Sequence, residues 1–522
     1  MNLVKVPNAG ATGVNKDLSQ HELPLNAWTD ASNIRFLDGY AYQFYGHGEV
    51  YNSPSVAPYH VLPVTVGSAR YWIYAGLAKV YAVTNTGGAA VHTNLTRQTA
   101  SVDVDYTGAA NAWTSTLLGG IPILNAGNTT DVPQMWNLNT ASRMTALTNW
   151  PASTYCKSLR SYKQYLVALG VTKAGTSYPF MVKWSHPTSP GAVPSSWDET
   201  DATKDAGEFD LAEGYDPIVD GLQLRDSFMI YKEASVWRMD FTGGPFVFRF
   251  SKVLGISGAL NRNCIVELDG YHLVLTGSDV IVHDGQTATS VLDKQSRRFL
   301  FQDFDVDQIS RAFVFKNPFL NEAFVCYASI GNTVPNKAMV WNYVDKTISF
   351  RDIPSLNHAN YGPVDNGLLG NWNQDSAPWA SDLTQWNGPD FTPSTTRVLM
   401  ASNDSKLFLL DASSSFDGVA PVAYLERRGL GFGADEKRKL VRAIRPRITG
   451  NVGDTVTLRV GSQSDPWSEP TWGPTMTHTI GSTVANNCLV SGRYIAIRFD
   501  SGTAYQWRLD SYDIDVQIQG GW

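Results

Sequence analysis

Short runs in which apolar and polar residues alternate recur along most of the chain. "ARYWIYAG" at 69–76, "QYLVALGVT" at 164–172, "SFMIYKEASVWRMDF" at 227–241 and "YHLVLTGSDVIVHDG" at 271–285 are examples. Each is bounded by Gly, Asp, Asn or Ser. A period of two puts successive side chains on opposite faces of an extended strand, and the bounding residues are those of tight turns. Helical periodicity is hard to find. The pattern predicts a mainly β protein.

A repeat lies beneath the alternation. An apolar strand running into a polar turn appears as "VYAVTNTGG" at 80, "QMWNLNTAS" at 134, "MVKWSHPTS" at 181 and "VWRMDFTGG" at 236. It continues as "VIVHDGQTA" at 280, "MVWNYVDKTIS" at 339 and "LFLLDASSS" at 407. Propeller blades repeat at ~40–50 residues, and the uneven spacing here fits blades carrying loop insertions. Residues 59–420 are therefore expected to form a β-propeller-like array of short antiparallel strands, with insertions near 186–220 and 354–395 and the blade number left open. From 421 to 522 the strands lengthen, as in "RAIRPRITGN" and "GRYIAIRFDS". This is the texture of a C-terminal β-sandwich-like platform domain. Residues 1–58 are expected as an N-terminal arm with the first strands.

Composition narrows the function classes. At 522 residues the chain is long for one ordinary domain, and 43% hydrophobic content allows a substantial core. Its formal net charge of −7 argues against a protein that grips nucleic acid by its phosphates, though not against one that lets DNA pass. Cys156, Cys264, Cys326 and Cys488 are far apart and form no CxxC pair, so a reduced, cytosolic origin is the default expectation. The opening "MNLVKVPNAG" lacks a signal-peptide core, and no run approaches the ~20 apolar residues of a membrane span. A soluble chain is expected.

Catalytic and cofactor motifs are scarce. "DFDVD" at 303–307 aligns Asp303, Asp305 and Asp307, but the glycine and glutamate of a calcium loop are missing. A solvated surface strand is the expected reading. The nine histidines form no HxH or HExxH. His283-Asp284-Gly285 reads as a hairpin turn rather than a catalytic base. Phosphate-loop, dinucleotide and nucleophile-elbow signatures are absent, and no cofactor or metal is expected.

Two charge blocks stand out. Asp198, Glu199, Asp201, Asp205, Glu208, Asp210, Glu213, Asp216 and Asp220 face a single Lys204 in 198–220. This is a candidate pore-facing acidic loop, able to repel a DNA backbone. Arg427, Arg428, Lys437, Arg438, Lys439, Arg442, Arg445 and Arg447 crowd 426–447. They are a candidate docking surface for an acidic neighbour, an adaptor or an adjacent subunit. For each block, a solvated surface is the plain alternative.

At the level of whole stretches the sequence resembles the tail nozzle proteins of short-tailed bacteriophages, also called tail tubular protein B or packaged-DNA stabilisation proteins. The likeness is carried by "GVNKDLSQHELPLNAWTDASNIRFLDGYAY" at 13–42, "GGIPILNAGNTTDVPQMWN" at 119–137 and "MVKWSHPTSPGAVPSSWD" at 181–198. "SFMIYKEASVWRMDFTGGPFVFRF" at 227–250, "YLERRGLGFG", "IRPRITG" and the closing "GRYIAIRFDS…WRLDSYDIDV" extend it in order. The resemblance implies a structural virion protein of the tail rather than an enzyme, assembled in the host cytoplasm. It implies a ring, generally of six copies, below the adaptor and portal. DNA would pass through its channel without sequence-specific binding, and tail fibres or spikes would attach around it. Abundant aromatics, 16 Trp and 23 Tyr, would suit such permanent subunit contacts.

Two alternatives belong to other classes. A propeller glycosidase acting on polysaccharide would need paired carboxylates, and Trp372, Trp379 and Trp386 could stack on sugars. A monomeric propeller scaffold would bind protein partners. The charged N-terminal stretch 15–39 is expected as an exposed lead-in carrying His21 and Glu22. "NIRFLDG" should form a strand ending in an Asp-Gly turn, with Ile34 and Phe36 on one face and Arg35 on the other, at a rim or subunit seam.

Overall fold

The computed structural model describes residues 2–67, 69–86, 89–244, 246–255, 257–364 and 396–521. Alternating strands hydrogen-bond into seven four-stranded antiparallel sheets among these residues. Their end strands, in chain order, are His60–Val66, Thr114–Leu118, Thr154–Tyr162, Ile218–Leu224, Ile265–Leu268, Phe313–Asn317 and Leu356–Pro363. From the second to the seventh, each packs beside its predecessor, and the seventh returns against the first. A hydrogen bond between His60 and Ser115 joins the first to the second. That circular order is a β-propeller, whose blades are called first to seventh here. Apolar faces meet between blades: Val167, Leu169 and Val182 of the third pack with Phe228, Ile230 and Met239 of the fourth. Each such side chain contributes about 1.5–3 kcal/mol of burial.

The seventh blade takes its outer strand, Gly46–Glu49, from ahead of the first blade, where it pairs with Lys406–Ser413. The ring is thus closed by a hydrogen-bonded strand rather than by side-chain packing alone.

Beyond the propeller lie two six-stranded sheets. One contains Asn2–Val6, Ile34–Leu37, Tyr40–Gln43, Trp507–Gly521, Lys437–Gly450 and Asn486–Gly492. The other is built on Asp30–Ser32, Ala423–Leu430, Tyr494–Ser501 and Thr455–Gln463. They enclose one core that includes Trp28, Ile34, Phe36, Ile444, Ile497 and Ile514. The strands after 421 therefore form no separate unit. Residues before 44 complete both sheets, with Val6 paired to Tyr512. The Asp38-Gly39 turn is where the sequence placed it. Both residues have positive φ, +53° and +80°, as the mirror-image turn of a tight hairpin requires.

Three expectations are corrected. "DFDVD" is not a strand: Asp303 ends helix α1 (Lys294–Asp303) and pairs with Lys337 at 2.9 Å, while Asp305 caps the 3-10 turn that follows. Trp28, Trp72, Trp113 and Trp136 are fully buried in this chain's own cores, so they are not subunit contacts. Arg35 is not at a rim. It is 3% exposed, and its guanidinium bonds Glu322 at 2.6 and 3.0 Å and Asp411 at 2.6 Å. Arg351 meets the other oxygen of Asp411 at 3.0 Å. This buried quartet joins the two-sheet body to the sixth and seventh blades. Asn33 adds a reciprocal pair of hydrogen bonds with Asp352, and Asp17 caps the Gln295 amide of α1.

Candidate functional site

The end strands of the blades leave one edge unpaired toward the axis, so polar groups gather there. Arg160, on the third blade, makes a two-pronged bond to Asp220 of the fourth at 2.9 and 2.6 Å. Asp220 is 1% exposed and also receives the Gly221 amide at 2.9 Å. Burial works against its charge, but Arg160 with the hydrogen bonds from Ser158 and the Gly221 amide together hold the carboxyl below its ordinary range. Asp220→Asn keeps the shape but leaves Arg160 without its counter-charge. A stability loss of about 2 kcal/mol is expected in urea unfolding.

One end of the axis is blocked. Asn111, between the first and second blades, donates to Ser310 O at 2.9 Å and Ala312 O at 3.0 Å and accepts from Asn263 at 2.9 Å. Arg262 donates to Ala112 O at 2.8 Å and Lys157 O at 3.0 Å. These bonds reach from the second and third blades to the approaches of the fifth and sixth, and so span the axis. Beneath the plug is a cavity of about 300 Å³ lined by His60, Ser115, Arg160, Asp220, Lys316 and His358 among others.

The cavity contains a serine–histidine contact, Ser115 Oγ to His60 Nε2 at 2.8 Å, with the His358 ring 4.1 Å from that of His60. His60 would make a weak base. Burial, then His358 and Arg160, hold its pKa well below the usual histidine value. Burial and Arg160 lower His358 to about 3.

A second buried histidine pair has a fixed proton order. The Gly285 amide donates to His283 Nδ1 at 3.1 Å, leaving His283 Nε2–H to donate to Tyr231 Oη at 2.6 Å. The tyrosine hydroxyl then donates to His272 Nδ1 at 2.6 Å, and His272 Nε2–H donates to Gln223 O at 2.9 Å. This chain ties the fourth blade to the fifth. Among the described residues no group of three or more His, Cys, Asp or Glu is placed to hold a metal ion.

The acidic block is dispersed. Asp198, Glu199, Asp201 and Asp205 lie in the loop before the outermost strand of the third blade, and Glu208 and Asp210 on that strand, Gly207–Asp210. Glu213 and Asp216 cross to the fourth blade. Of the nine, only Asp220 reaches the propeller axis, because it alone lies on an inner strand. Lysines that the linear block did not reveal neutralise part of the charge. Lys173 and Lys183 pair with Glu199 and Glu208, Lys232 with Asp216 at 3.0 Å, and Lys252 with Glu213 at 3.3 Å.

The basic block also divides. Arg427 and Lys439 cannot dock a partner: both are buried, Arg427 donating to Gln20 O and Leu23 O and Lys439 to Arg493 O. Arg428 pairs with Glu426 and Glu469. Lys437, Arg438, Arg442 and Arg447 are exposed and Arg445 half-buried along Lys437–Gly450. Trp372, Trp379 and Trp386 lie outside the described residues. Sequence reasoning missed Asn111, Arg262, His60 and His358, since each is a lone residue whose partners come from distant blades.

No described helix is long and apolar enough to cross a membrane. No protein-family model matches the chain, and no curated protein does. Among solved structures, the WD40 domain of Toxoplasma gondii coronin is 8% identical, with a TM-score of 0.37, covering 73% of this chain and 87% of that one. The Neurospora crassa Pan2 WD40 domain is 9% identical with a TM-score of 0.34, over 70% and 94%. The β-propeller domain of the Trilobed protease from Pyrococcus furiosus is 13% identical with a TM-score of 0.34, over 69% and 94%. With likeness this distant, the propeller assignment rests on the strand order itself: this chain is a β-propeller carrying a two-sheet body.

Proposed function

We propose that the chain is a structural subunit of a short-tailed phage tail nozzle, forming a ring, of six copies by family resemblance, below the adaptor and portal. DNA would be conducted and retained in the channel between subunits, and fibres or spikes would attach outside. The observation that supports this reading is a propeller whose own axis is plugged by Asn111 and Arg262 and which is fastened to the two-sheet body by the buried Arg35 quartet. A blocked axis suits a rigid wall element, with the conduit enclosed by several copies. The chain's net charge of −7 favours DNA sliding over DNA gripping.

Negative-stain images of the purified protein, alone and with its neighbouring tail proteins, test the proposal. Rings with a central hole are expected. A stable monomer that degrades polysaccharide would overturn it.

A further inference from the structure

Among the described residues nothing covers the outward side of the two-sheet body along Lys437–Gly450 and Asn486–Gly492. Its inner residues, Tyr512, Ile514 and Val516, point into the shared core, so the alternate positions of the same strands face outward. There Lys5, Arg442, Arg445 and Arg447 outnumber Asp513 and Asp515, and Leu489 on the edge strand is 81% exposed. Arg447 shares Asp513 at 2.7 Å, and among the described residues Arg442 is held by the neutral Gln517. A flat arginine-bearing face with exposed leucine fits an acidic protein surface with apolar content.

The chain carries such a surface elsewhere. After its lysine pairs are formed, the outer edge of the third blade still presents Asp198, Asp201, Asp205 and Asp210. Aromatic side chains stand close by: Phe209, stacked on Phe250 at 4.7 Å, and Tyr215, fully exposed. Beside Asp198, Trp197 lines a hollow of about 430 Å³, and its buried indole N–H has no acceptor among the described residues. Arginine guanidinium groups stack favourably on aromatic faces, which adds to the charge match.

The two surfaces cannot meet within one chain. The body is fastened to the sixth and seventh blades, and in a ring of seven the third blade lies diametrically opposite. We infer that the arginine face of one copy docks on the acidic outer edge of the third blade of a second copy. Contact between unlike surfaces at opposite ends of a subunit propagates head to tail, closing into rings when the rotation allows. This rests on the assembly reading above and names the seam.

The test uses two full-length charge-reversed variants, R442E/R445E and D201K/D210K. Arg442 and Asp210 are exposed and Arg445 and Asp201 half-buried, and unchanged melting curves establish that both variants fold. R442E/R445E makes the face acidic like the edge and D201K/D210K cancels the charge of the edge, so each variant alone is expected to self-associate at least tenfold more weakly than the parent in sedimentation at low salt. In a 1:1 mixture the acidic edge of R442E/R445E meets the arginine face of D201K/D210K, which is the parental pair of surfaces, and association should return. Rings that persist in both variants overturn this seam and leave the nozzle reading standing. Association that is lost singly and restored by mixing, without rings, keeps the seam and overturns the nozzle. A parent that stays monomeric at every concentration overturns the seam, and one that also forms no ring with its neighbouring tail proteins overturns both.

Discussion

Replacing Arg35 by alanine is expected to cost about 3–5 kcal/mol, the range for removing one partner of a buried ion pair. That is a large fraction of the ~5–15 kcal/mol by which whole domains are stable. Glu322 and Asp411 would keep their burial and lose their shared guanidinium, while Arg351 reaches only Asp411. Burial opposes the charge on Arg35, but Asp411 and Glu322 together raise its pKa well above the ordinary arginine value. Arg35→Met combined with Glu322→Gln removes one cation and one anion, leaving the neutral Arg351–Asp411 pair. The double variant should therefore be more stable than Arg35→Met alone. Urea unfolding of the three variants measures this. A loss below ~1 kcal/mol for Arg35→Ala would show that the quartet is not what fastens the body to the blades.

Acid should unfold the protein early. Five buried histidines are held neutral. His47, His272 and His358 are lowered to about 3 and His283 to about 4, each chiefly by burial, and His60 is lowered well below 6.5. The same groups titrate near 6.5 in an unfolded chain. Between those limits the unfolded state binds more protons, so stability falls as pH drops below about 6.5 and continues to fall toward pH 3–4. Each group contributes about 1.4 kcal/mol per pH unit. Together they would remove several kcal/mol by pH 5.5, enough to bring acid unfolding to about pH 5. Asp220 and Asp411, both depressed by arginines, add to the loss only below the ordinary carboxylate range. Urea midpoints measured from pH 7.5 to 4.5 test this, and a flat profile between 6.5 and 5 would refute it.

The blades that were legible in the sequence are those with long alternating strands. Tyr271–Leu275 and Val280–His283 fall inside one quoted run, and Ser227–Lys232 and Val236–Phe241 inside another. The blade number was not legible, for two physical reasons. The outer strands of the second blade, Gln134–Met135 and Thr145–Ala146, are too short to alternate. The closing strand, "GHGE", has two glycines and precedes the blade array it completes. The two-sheet body was half visible. Lys437–Gly450 and Tyr494–Ser501 announce themselves, but a pairing such as Leu3 with Asp515 leaves no local mark. Charge density along the chain misled most. It could not separate Asp220, on an inner strand, from Asp210, on an outer one. Nor could it show that Arg35 turns inward, since a strand flanked by elements on both sides has no solvent face.

The pairing of Asn2–Val6 with the strand Trp507–Gly521 bears on how the chain is made. At about 5–20 residues per second, a ribosome needs roughly 25–100 s to synthesise the ~500 residues between these partners. Until then the opening strands have unpaired edges, and the outer strand of the seventh blade waits nearly as long. Edges left open this way favour pairing with other chains. The nascent chain is thus most prone to aggregate just before Trp507–Gly521 emerges, when nearly every blade has folded and the pairing of that strand with Asn2–Val6 is still missing.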